Sequence, residues 1–261
     1  MLQSASSAVS SFPKELPFEL LALEKAVRYQ QWIAETIQPY LGKRILELGA
    51  GIGNMSRWFT HVERLILTEM DPHLLELLRL RIKAWPVNSA RISVASLDLE
   101  TQTLDLFAHE NIDTIISFNV LEHIKDDLAV LKQSAQLLRQ HRTPSKKRII
   151  TFIPAHPFAY GVMDKAVGHY RRYNQAMIKK LHQVAMPDAR LSVKAFNFVG
   201  LWGWFMNGRI LRKKSAGATF IGLFEKLCPL IQFLDKIVID KMHVPLGQSL
   251  LVIQEFDSEP I

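Results

Sequence analysis

Apolar residues occur along the chain in short runs that alternate with segments of helical periodicity. The runs are almost wholly apolar, as buried parallel strands are, and they predict strands at residues 44–48, 64–68, 91–95, 113–118 and 148–153. Apolar positions at helical spacing predict helices at residues 72–84 and 127–140. This alternation predicts a parallel sheet with right-handed crossovers and with helices on both faces.

The first 40 residues divide into two parts. Residues 1–16 are rich in serine and lack a basic segment followed by an apolar run, so we expect a flexible tail and no secretory signal. Residues 17–40 have apolar positions at helical spacing, which predicts one leading amphipathic helix. That helix should pack on the sheet edge or cover a ligand.

The last third of the chain adds a hairpin with an insert. Apolar runs at residues 191–199 and 248–256 predict two further strands. Between them, residues 200–245 are mostly helical in pattern and rich in aromatic residues. Pro229 lies within an apolar stripe of this insert, and we expect it to divide the stripe into two helices.

Composition narrows the class of protein. Of 261 residues 48% are hydrophobic, which is enough for one domain over residues 17–261 to bury a core. The net charge of +7 favours anionic substrates, lipid headgroups or nucleic acid as partners. Cys228 is the only cysteine, so an intramolecular disulfide is excluded and a cytoplasmic location is expected. The nine histidines show no metal-ligand spacing, and no metal site is expected.

A glycine-rich loop follows the first predicted strand. Residues 47–54 read ELGAGIGN, and glycines at these positions let backbone amides approach a ligand closely. Asn54 replaces the third glycine of a dinucleotide fingerprint, which argues against NAD. Glu47 would repel a pyrophosphate but could anchor the ammonium group of an amino-acid cofactor.

Acidic residues follow the next two strands. Glu69 lies at the end of the second strand, where a carboxylate can accept hydrogen bonds from both ribose hydroxyls of a nucleoside. Met70 would then face the adenine. After the third strand, Asp98 is placed to meet the adenine amino group, and Leu99 can pack on the ring.

These segments resemble the class I S-adenosylmethionine-dependent methyltransferases. ELGAGIGN is similar to the first motif of that family, TEMDP at residues 68–72 to the second, SLDLE at 96–100 to the third and DTIISFNVLEHI at 113–124 to the fourth. The resemblance covers residues 44–154. It implies a Rossmann-like, doubly wound α/β sheet of seven strands with a terminal antiparallel hairpin, a cofactor-binding core over residues 41–190, and S-adenosyl-L-methionine as cofactor. The insert at 200–245 departs from the family pattern.

The predicted cofactor site combines the loop with the residues that follow the strands. Its members are Glu47, Gly49, Ala50, Gly51, Gly53, Asn54, Glu69, Met70, Asp98, Leu99, Asn119, Val120 and Leu121. In the resembling family, residues 119–122 border the methionine end of the cofactor.

The acceptor is expected beyond the carboxyl ends of the strands. Residues 168–173, GHYRRY, are similar to a stretch found in a bacterial subset of the family. His169 is the first candidate for a general base and His156 the second, because imidazole titrates near neutral pH. The residues expected to bind the acceptor are Tyr160, Tyr170, Arg171, Arg172, Tyr173 and Trp202. The alternative is that the two arginines are solvated and His169 is a packing group.

The sequence therefore predicts an S-adenosylmethionine-dependent methyltransferase that acts on an oxygen of a small or lipid-like acceptor, such as a secondary metabolite or a glycolipid precursor. An RNA or protein methyltransferase and a non-catalytic cofactor-binding scaffold are the alternatives. No appended RNA-binding module and no motif of base amino methylases is present, which argues against nucleic acid. The insert is interpreted as a lid, a dimer contact or, through residues 200–241, a peripheral membrane contact; a monomer or a homodimer is expected.

Overall fold

The computed structural model of the protein describes residues 16–86, 89–140, 146–215 and 217–257. The tail predicted at residues 1–16 lies outside the described residues except for its last position. Among the described helices, none is both long enough and apolar enough to span a bilayer.

The seven strands form one mixed sheet in the order β3-β2-β1-β4-β5-β7-β6. The strands are β1 (Arg44–Leu48), β2 (Arg64–Glu69), β3 (Ile92–Ser96), β4 (Thr114–Phe118), β5 (Lys147–Pro154), β6 (Arg190–Phe196) and β7 (Ser249–Phe256). The first five are paired in parallel, whereas β7 is antiparallel to both β5 and β6. The predicted fold class, with its terminal antiparallel hairpin, is confirmed.

Alternate residues of the central strands enter two separate hydrophobic cores. Ile45 of β1 lies in one core with Ile33, whereas Leu46, its neighbour, lies in the other core with Leu131. Both faces of the sheet are therefore buried, which is why the sequence of these strands is continuously apolar and not alternating.

The described residues form eight α-helices, including the two predicted at residues 72–84 and 127–140. They are α1 (Phe18–Lys25), α2 (Val27–Ile37), α3 (Pro72–Lys83), α4 (Asp127–Gln140), α5 (Val162–Ala166), α6 (Gln175–Ala185), α7 (Phe198–Phe205) and α8 (Ala218–Asp235). At the start of α3, the Asp71 carboxylate accepts hydrogen bonds from the amides of His73 and Leu74, and Pro72 occupies the first turn. Asp71 thus caps the helix, as its side-chain type favours.

The leading segment is two helices, and the prediction of one continuous helix was wrong. Ala26 interrupts it with φ −93° and ψ 60°, and its amide bonds to the Leu23 carbonyl. The side chain of Gln30 donates to the same carbonyl. These two bonds give the Leu23 carbonyl, in the last turn of α1, its hydrogen-bond partners. The chain can therefore change direction at Ala26, and α1 and α2 are separate helices.

The insert between β6 and β7 contains α7 and α8, which continue into π-helical turns at Met206–Ile210 and Lys236–Lys241. The expectation that Pro229 breaks the stripe was wrong, since α8 runs through it. A proline removes the hydrogen bond to the carbonyl four residues earlier, here that of Glu225. The guanidinium of Arg28 on α2 donates to that carbonyl at 3.4 Å, so the group left free by the proline has a partner.

Candidate functional site

The glycine loop turns the chain sharply at the carboxyl end of β1. Gly49, Gly51 and Gly53 have φ of +64°, +58° and +79°, values that favour glycine over residues with a side chain. A Cβ at Gly49 would lie 2.7 Å from the side chain of Val120. The Ala50 amide donates to the Thr68 carbonyl at 2.7 Å and so fixes the loop to β2.

Glu47 points a buried carboxylate into the protein just before this loop. Its side-chain Oε2 has no hydrogen-bond partner among the described residues. Burial raises the pKa of Glu47 to about 8, although the hydroxyl of Ser56 opposes the shift. A buried acceptor without a partner costs free energy, and an ammonium group bound at the loop would satisfy it. The site therefore fits the amino-acid end of a cofactor.

Glu69 ends β2 beside the same loop. Its carboxylate accepts hydrogen bonds from the amides of Gly51 at 2.9 Å, Met70 at 2.8 Å and Asp71 at 2.9 Å. These bonds hold the carboxylate against the loop. Met70 is exposed at the mouth of the site, as a residue that packs on a bound base must be.

The remaining predicted cofactor residues follow β3 and β4. The Asp98 carboxylate accepts from the Glu100 amide and the Thr101 hydroxyl, which orders the turn that contains Leu99. Asn119 has φ +52° and is exposed, and its amide donates to Phe152 on β5. The structure thus brings the predicted residues to one edge of the sheet, at the ends of four neighbouring strands. Their individual contacts to a cofactor stay predictions.

Helix α1 lies over the glycine loop. The Asn54 side-chain amide donates to the Leu20 carbonyl at 2.8 Å, and a Cβ placed on Gly51 would lie 3.0 Å from the Leu20 side chain. Of the two positions predicted for the leading segment, α1 takes the one that covers the ligand loop, whereas α2 packs on the sheet.

His169 is held in place by a buried carboxylate on the acceptor side. Its Nδ1 donates to Asp164 Oδ1 at 3.0 Å, and Arg172 Nε donates to the same oxygen at 2.7 Å. Gly161 and the indole of Trp204 donate to the other oxygen. Although burial opposes it, the bond from His169 and the charge of Arg172 hold the pKa of Asp164 below its usual value. Sequence reasoning missed Asp164, because a lone aspartate in a short helix carries no motif.

The other nitrogen of His169 faces three further titratable groups. Its Nε2 lies 3.4 Å from Glu19 Oε1 and 3.8 Å from Glu122 Oε1, and the ring of His123 meets it edge-on at 4.6 Å between centroids. Burial lowers the pKa of His169, but the hydrogen bond to Asp164 and the nearby carboxylates of Glu19 and Glu122 raise it to about 9. Burial raises the pKa of Glu122 to about 8 and, together with the charge of His169, lowers that of His123.

Three of the six residues of the GHYRRY stretch, His169, Arg172 and Tyr173, are buried. Arg172 is buried and donates to Asp164 and to the Ala155 carbonyl, while the buried Tyr173 donates to Asp127. Arg171 pairs with Asp127 and donates to two carbonyls of the loop before α4. These contacts assign the three residues to holding the segment together and do not support the prediction that they bind the acceptor. Tyr170 is exposed.

Other predicted acceptor residues lie around His169. The Tyr160 hydroxyl donates to the His169 carbonyl at 2.7 Å, and Trp202 on α7 is partly exposed. The second candidate base, His156, is buried, and its Nε2 accepts the Gly247 amide at 3.3 Å. Burial and the charge of Arg172 lower the pKa of His156. This arrangement ties His156 to the backbone before β7 and makes it a weaker candidate than His169.

Comparison with known proteins agrees with this geometry. Residues 46–141 match the family model of a methyltransferase domain. No curated protein sequence matches the chain.

Solved structures share the fold at low sequence identity. An S-adenosylmethionine-dependent methyltransferase from Mesorhizobium loti is 15% identical with a TM-score of 0.54, over 87% of this chain and 97% of that one. A methyltransferase of Haloferax volcanii, solved with the activator Trm112, is 12% identical with a TM-score of 0.55, over 94% and 97%. The glycopeptide N-methyltransferase MtfA, complexed with S-adenosylmethionine, is 12% identical with a TM-score of 0.50, over 88% and 93%. The chain therefore contains a segment that matches a methyltransferase-domain model, and it shares the Rossmann-like fold of these solved methyltransferases.

Proposed function

We propose that the protein is an S-adenosylmethionine-dependent methyltransferase that methylates an oxygen of a small or lipid-like acceptor. The observation that carries the proposal is the glycine loop flanked by two carboxylates, Glu47 and Glu69, at the carboxyl ends of adjacent strands. Glu47 would hold the ammonium group of the cofactor and Glu69 the ribose hydroxyls. When bound, the cofactor supplies a methyl group on a sulfonium, which an oxygen nucleophile can attack while the sulfur keeps the bonding electron pair.

The His169–Asp164 pair supports an oxygen acceptor. The Asp164 carboxylate accepts from Nδ1, so in the neutral imidazole the lone pair is on Nε2. That nitrogen can take the proton of a hydroxyl when the imidazole is neutral, and the raised pKa of about 9 means that the neutral form becomes the major one only above about pH 9. The pair lies next to the cofactor loop, because Glu122 and His123, which contact His169, follow Val120, which packs on Gly49.

Cofactor binding is tested first by the Glu69→Ala variant. Hydrogen bonds to a charged group contribute ~1.5–3 kcal/mol each, so the loss of two should weaken S-adenosylmethionine binding about 100-fold or more. Isothermal titration calorimetry measures this affinity. Glu76→Ala, an exposed glutamate on α3, is the matched control and should bind as the wild type does. A Glu69→Ala protein that binds within threefold of wild type contradicts the assignment of the ribose to Glu69.

Incubation with methyl-labelled cofactor and a metabolite extract separates the remaining alternatives. A small-molecule enzyme labels a compound in the low-molecular-weight fraction, and mass spectrometry identifies the methylated atom. Label in RNA or in protein would favour those substrates instead. A non-catalytic scaffold would bind the cofactor and transfer nothing.

A lipid-like acceptor is favoured by the outer face of α8, which we call the α8 stripe. Leu223, Leu230 and Phe233 on this face are 55%, 54% and 58% exposed, and Phe220 and Leu227 are also exposed. The opposite face of the helix is buried and packs on α2 through the ring contact between Phe224 and Tyr29. The same insert contains seven exposed basic residues: Arg209, Arg212, Lys213, Lys214, Lys226, Lys236 and Lys241.

An apolar stripe flanked by basic residues is typical of helices that lie on an anionic membrane surface. We therefore expect peripheral membrane contact through residues 200–241, in a protein that is otherwise cytoplasmic. Such contact would bring the site to the headgroup level, where lipid-linked acceptors are found.

Vesicle sedimentation tests this contact. Leu223→Asp combined with Leu227→Asp removes apolar area worth roughly 1.5 kcal/mol per side chain and adds negative charge, so binding to phosphatidylserine-containing vesicles should fall at least about tenfold. The control is Val184→Asp, an exposed apolar position on α6 outside the insert. Unchanged vesicle binding, or a shift from dimer to monomer in light scattering, would reject the membrane in favour of a lid or a dimer contact.

A further inference from the structure

Four side chains from three distant parts of the chain converge around His169 Nε2. Glu19 comes from α1, Glu122 and His123 come from the 3-10 turn after β4, and His169 precedes α6. The donor atoms of Glu19, His123 and His169 lie within 4.8 Å of one another. Glu122 Oε1 lies 3.8 Å from His169 Nε2. We call these four residues the acceptor-side cluster.

Two members of the cluster are buried without partners. Both carboxylate oxygens of Glu122, and Nε2 of His169, lack a hydrogen bond to any described residue. The Glu122 residue has 0% exposure, and the side chain of His169 has 3%. Groups of this kind are expensive to bury unless something between them satisfies their lone pairs. A bound cation would satisfy the lone pairs of these atoms.

We infer that the acceptor-side cluster binds one divalent transition-metal ion through Glu19, His123 and His169, with the Glu122 carboxylate beside it. Two imidazoles and one carboxylate, with open positions for other ligands, suit Zn²⁺, Mn²⁺ or Fe²⁺, whereas Ca²⁺ and Mg²⁺ prefer oxygen ligands alone. With bonds of ~2.1 Å, neighbouring ligands of a tetrahedral ion lie about 3.4 Å apart. The separation between Glu19 Oε1 and His169 Nε2 is 3.4 Å.

The surroundings of His169 are those of a ligand whose orientation is fixed. Metal-binding histidines commonly donate the other ring N–H to a carboxylate, which aims the coordinating nitrogen. Asp164 accepts from Nδ1 in this way, and it is itself held by Arg172 and Trp204. The charges also balance, since the two carboxylates of the cluster neutralise a divalent cation.

A catalytic role for the ion rests on the proposed function, because the ion would activate the acceptor hydroxyl for methyl transfer. A hydroxyl coordinated to a divalent ion loses its proton more readily, as bound water does. The acceptor oxygen would then displace one ligand or occupy an open position, and its proton would leave to solvent. His169 would act as a ligand, and the direct transfer of the proton to Nε2 would apply only to a protein that binds no ion.

Metal binding is measured on the full chain, without a histidine tag and after dialysis against a chelator. Titration with ZnCl₂ should show one site, and CoCl₂ should give the visible absorption bands of a four- or five-coordinate ion. His123→Ala should weaken Zn²⁺ binding about 100-fold or more, since even the loss of an outer-shell partner costs 10–100-fold. Glu122→Gln, which keeps the shape of the side chain, should weaken it also, and serves if the alanine variant does not fold.

The matched control is His61→Ala, because His61 is exposed and lies outside the cluster. It should bind Zn²⁺ and Co²⁺ as the wild type does. Absence of a site tighter than millimolar, or binding that His123→Ala and Glu122→Gln leave unchanged, would overturn the inference. Titration of the cofactor in the presence of chelator separates the two proposals: if the cofactor binds and no ion does, the ion inference fails and the proposed function stands.

Discussion

Replacement of Arg172 by leucine should destabilise the protein by about 3–5 kcal/mol, because it removes the buried guanidinium that pairs with the buried Asp164 carboxylate. The Arg172 side chain is 1% exposed and that of Asp164 is 0% exposed, so solvent cannot compensate. Arg172 also donates to the Ala155 carbonyl at the end of β5, which would lose a partner as well. Urea unfolding followed by circular dichroism measures the change.

An exposed arginine gives the comparison for this variant. Arg190 pairs with Glu255 and Asp257, and its side chain is 65% exposed. Such surface pairs contribute ~0–1 kcal/mol, so Arg190→Leu should have a small effect. If both variants lowered the free energy of unfolding equally, the buried Asp164–Arg172 pair would contribute no more to stability than an exposed pair.

The strands and their order could be predicted because each is a short apolar run with a motif at its end. The hydrophobic pattern could not show that α8 continues past Pro229, since the compensating donor is Arg28, 201 residues away from the proline along the sequence. Nor could it show the break at Ala26, because an alanine is among the best helix formers. At Pro229 a long-range contact overrides the helix-breaking tendency of proline, and at Ala26 hydrogen bonds to a nearby carbonyl override the helix-forming tendency of alanine.

The cofactor side of the site was predictable to a greater extent than the acceptor side. Glu47 and Glu69 stand in fixed positions beside a glycine loop, so sequence spacing carries the information. The acceptor-side cluster combines Glu19 with His169, which are 150 residues apart, and no local spacing reveals them. His123 and His169 are far apart in sequence, and only the fold brings their rings into contact.

The arginines and tyrosines near the predicted base have two possible roles that the sequence alone does not separate. A polar cluster such as GHYRRY is equally suited to bind a ligand and to hold its own segment in place. The structure separates these roles by burial: Arg172 and Tyr173 have internal partners, whereas Tyr170 is exposed.

Turnover should fall about 10²–10⁴-fold in the His169→Ala variant, while the affinity for S-adenosylmethionine should remain within about twofold of wild type. The alanine removes the group that takes the acceptor's proton or holds the ion that ionises the hydroxyl, whereas the loop contacts of Glu47 and Glu69 do not involve it. Single-turnover assays with the identified acceptor measure the rate, and calorimetry measures the cofactor affinity.

The His156→Ala variant distinguishes a catalytic from a structural effect. His156 is also buried near Arg172, but its Nε2 is bound to the Gly247 amide, so this variant should lose stability and retain most of its turnover at low temperature. If His169→Ala keeps wild-type turnover, neither nitrogen of that ring takes part in the reaction. The proton of the acceptor would then leave without help from the protein, as it can when the nucleophile is already ionised.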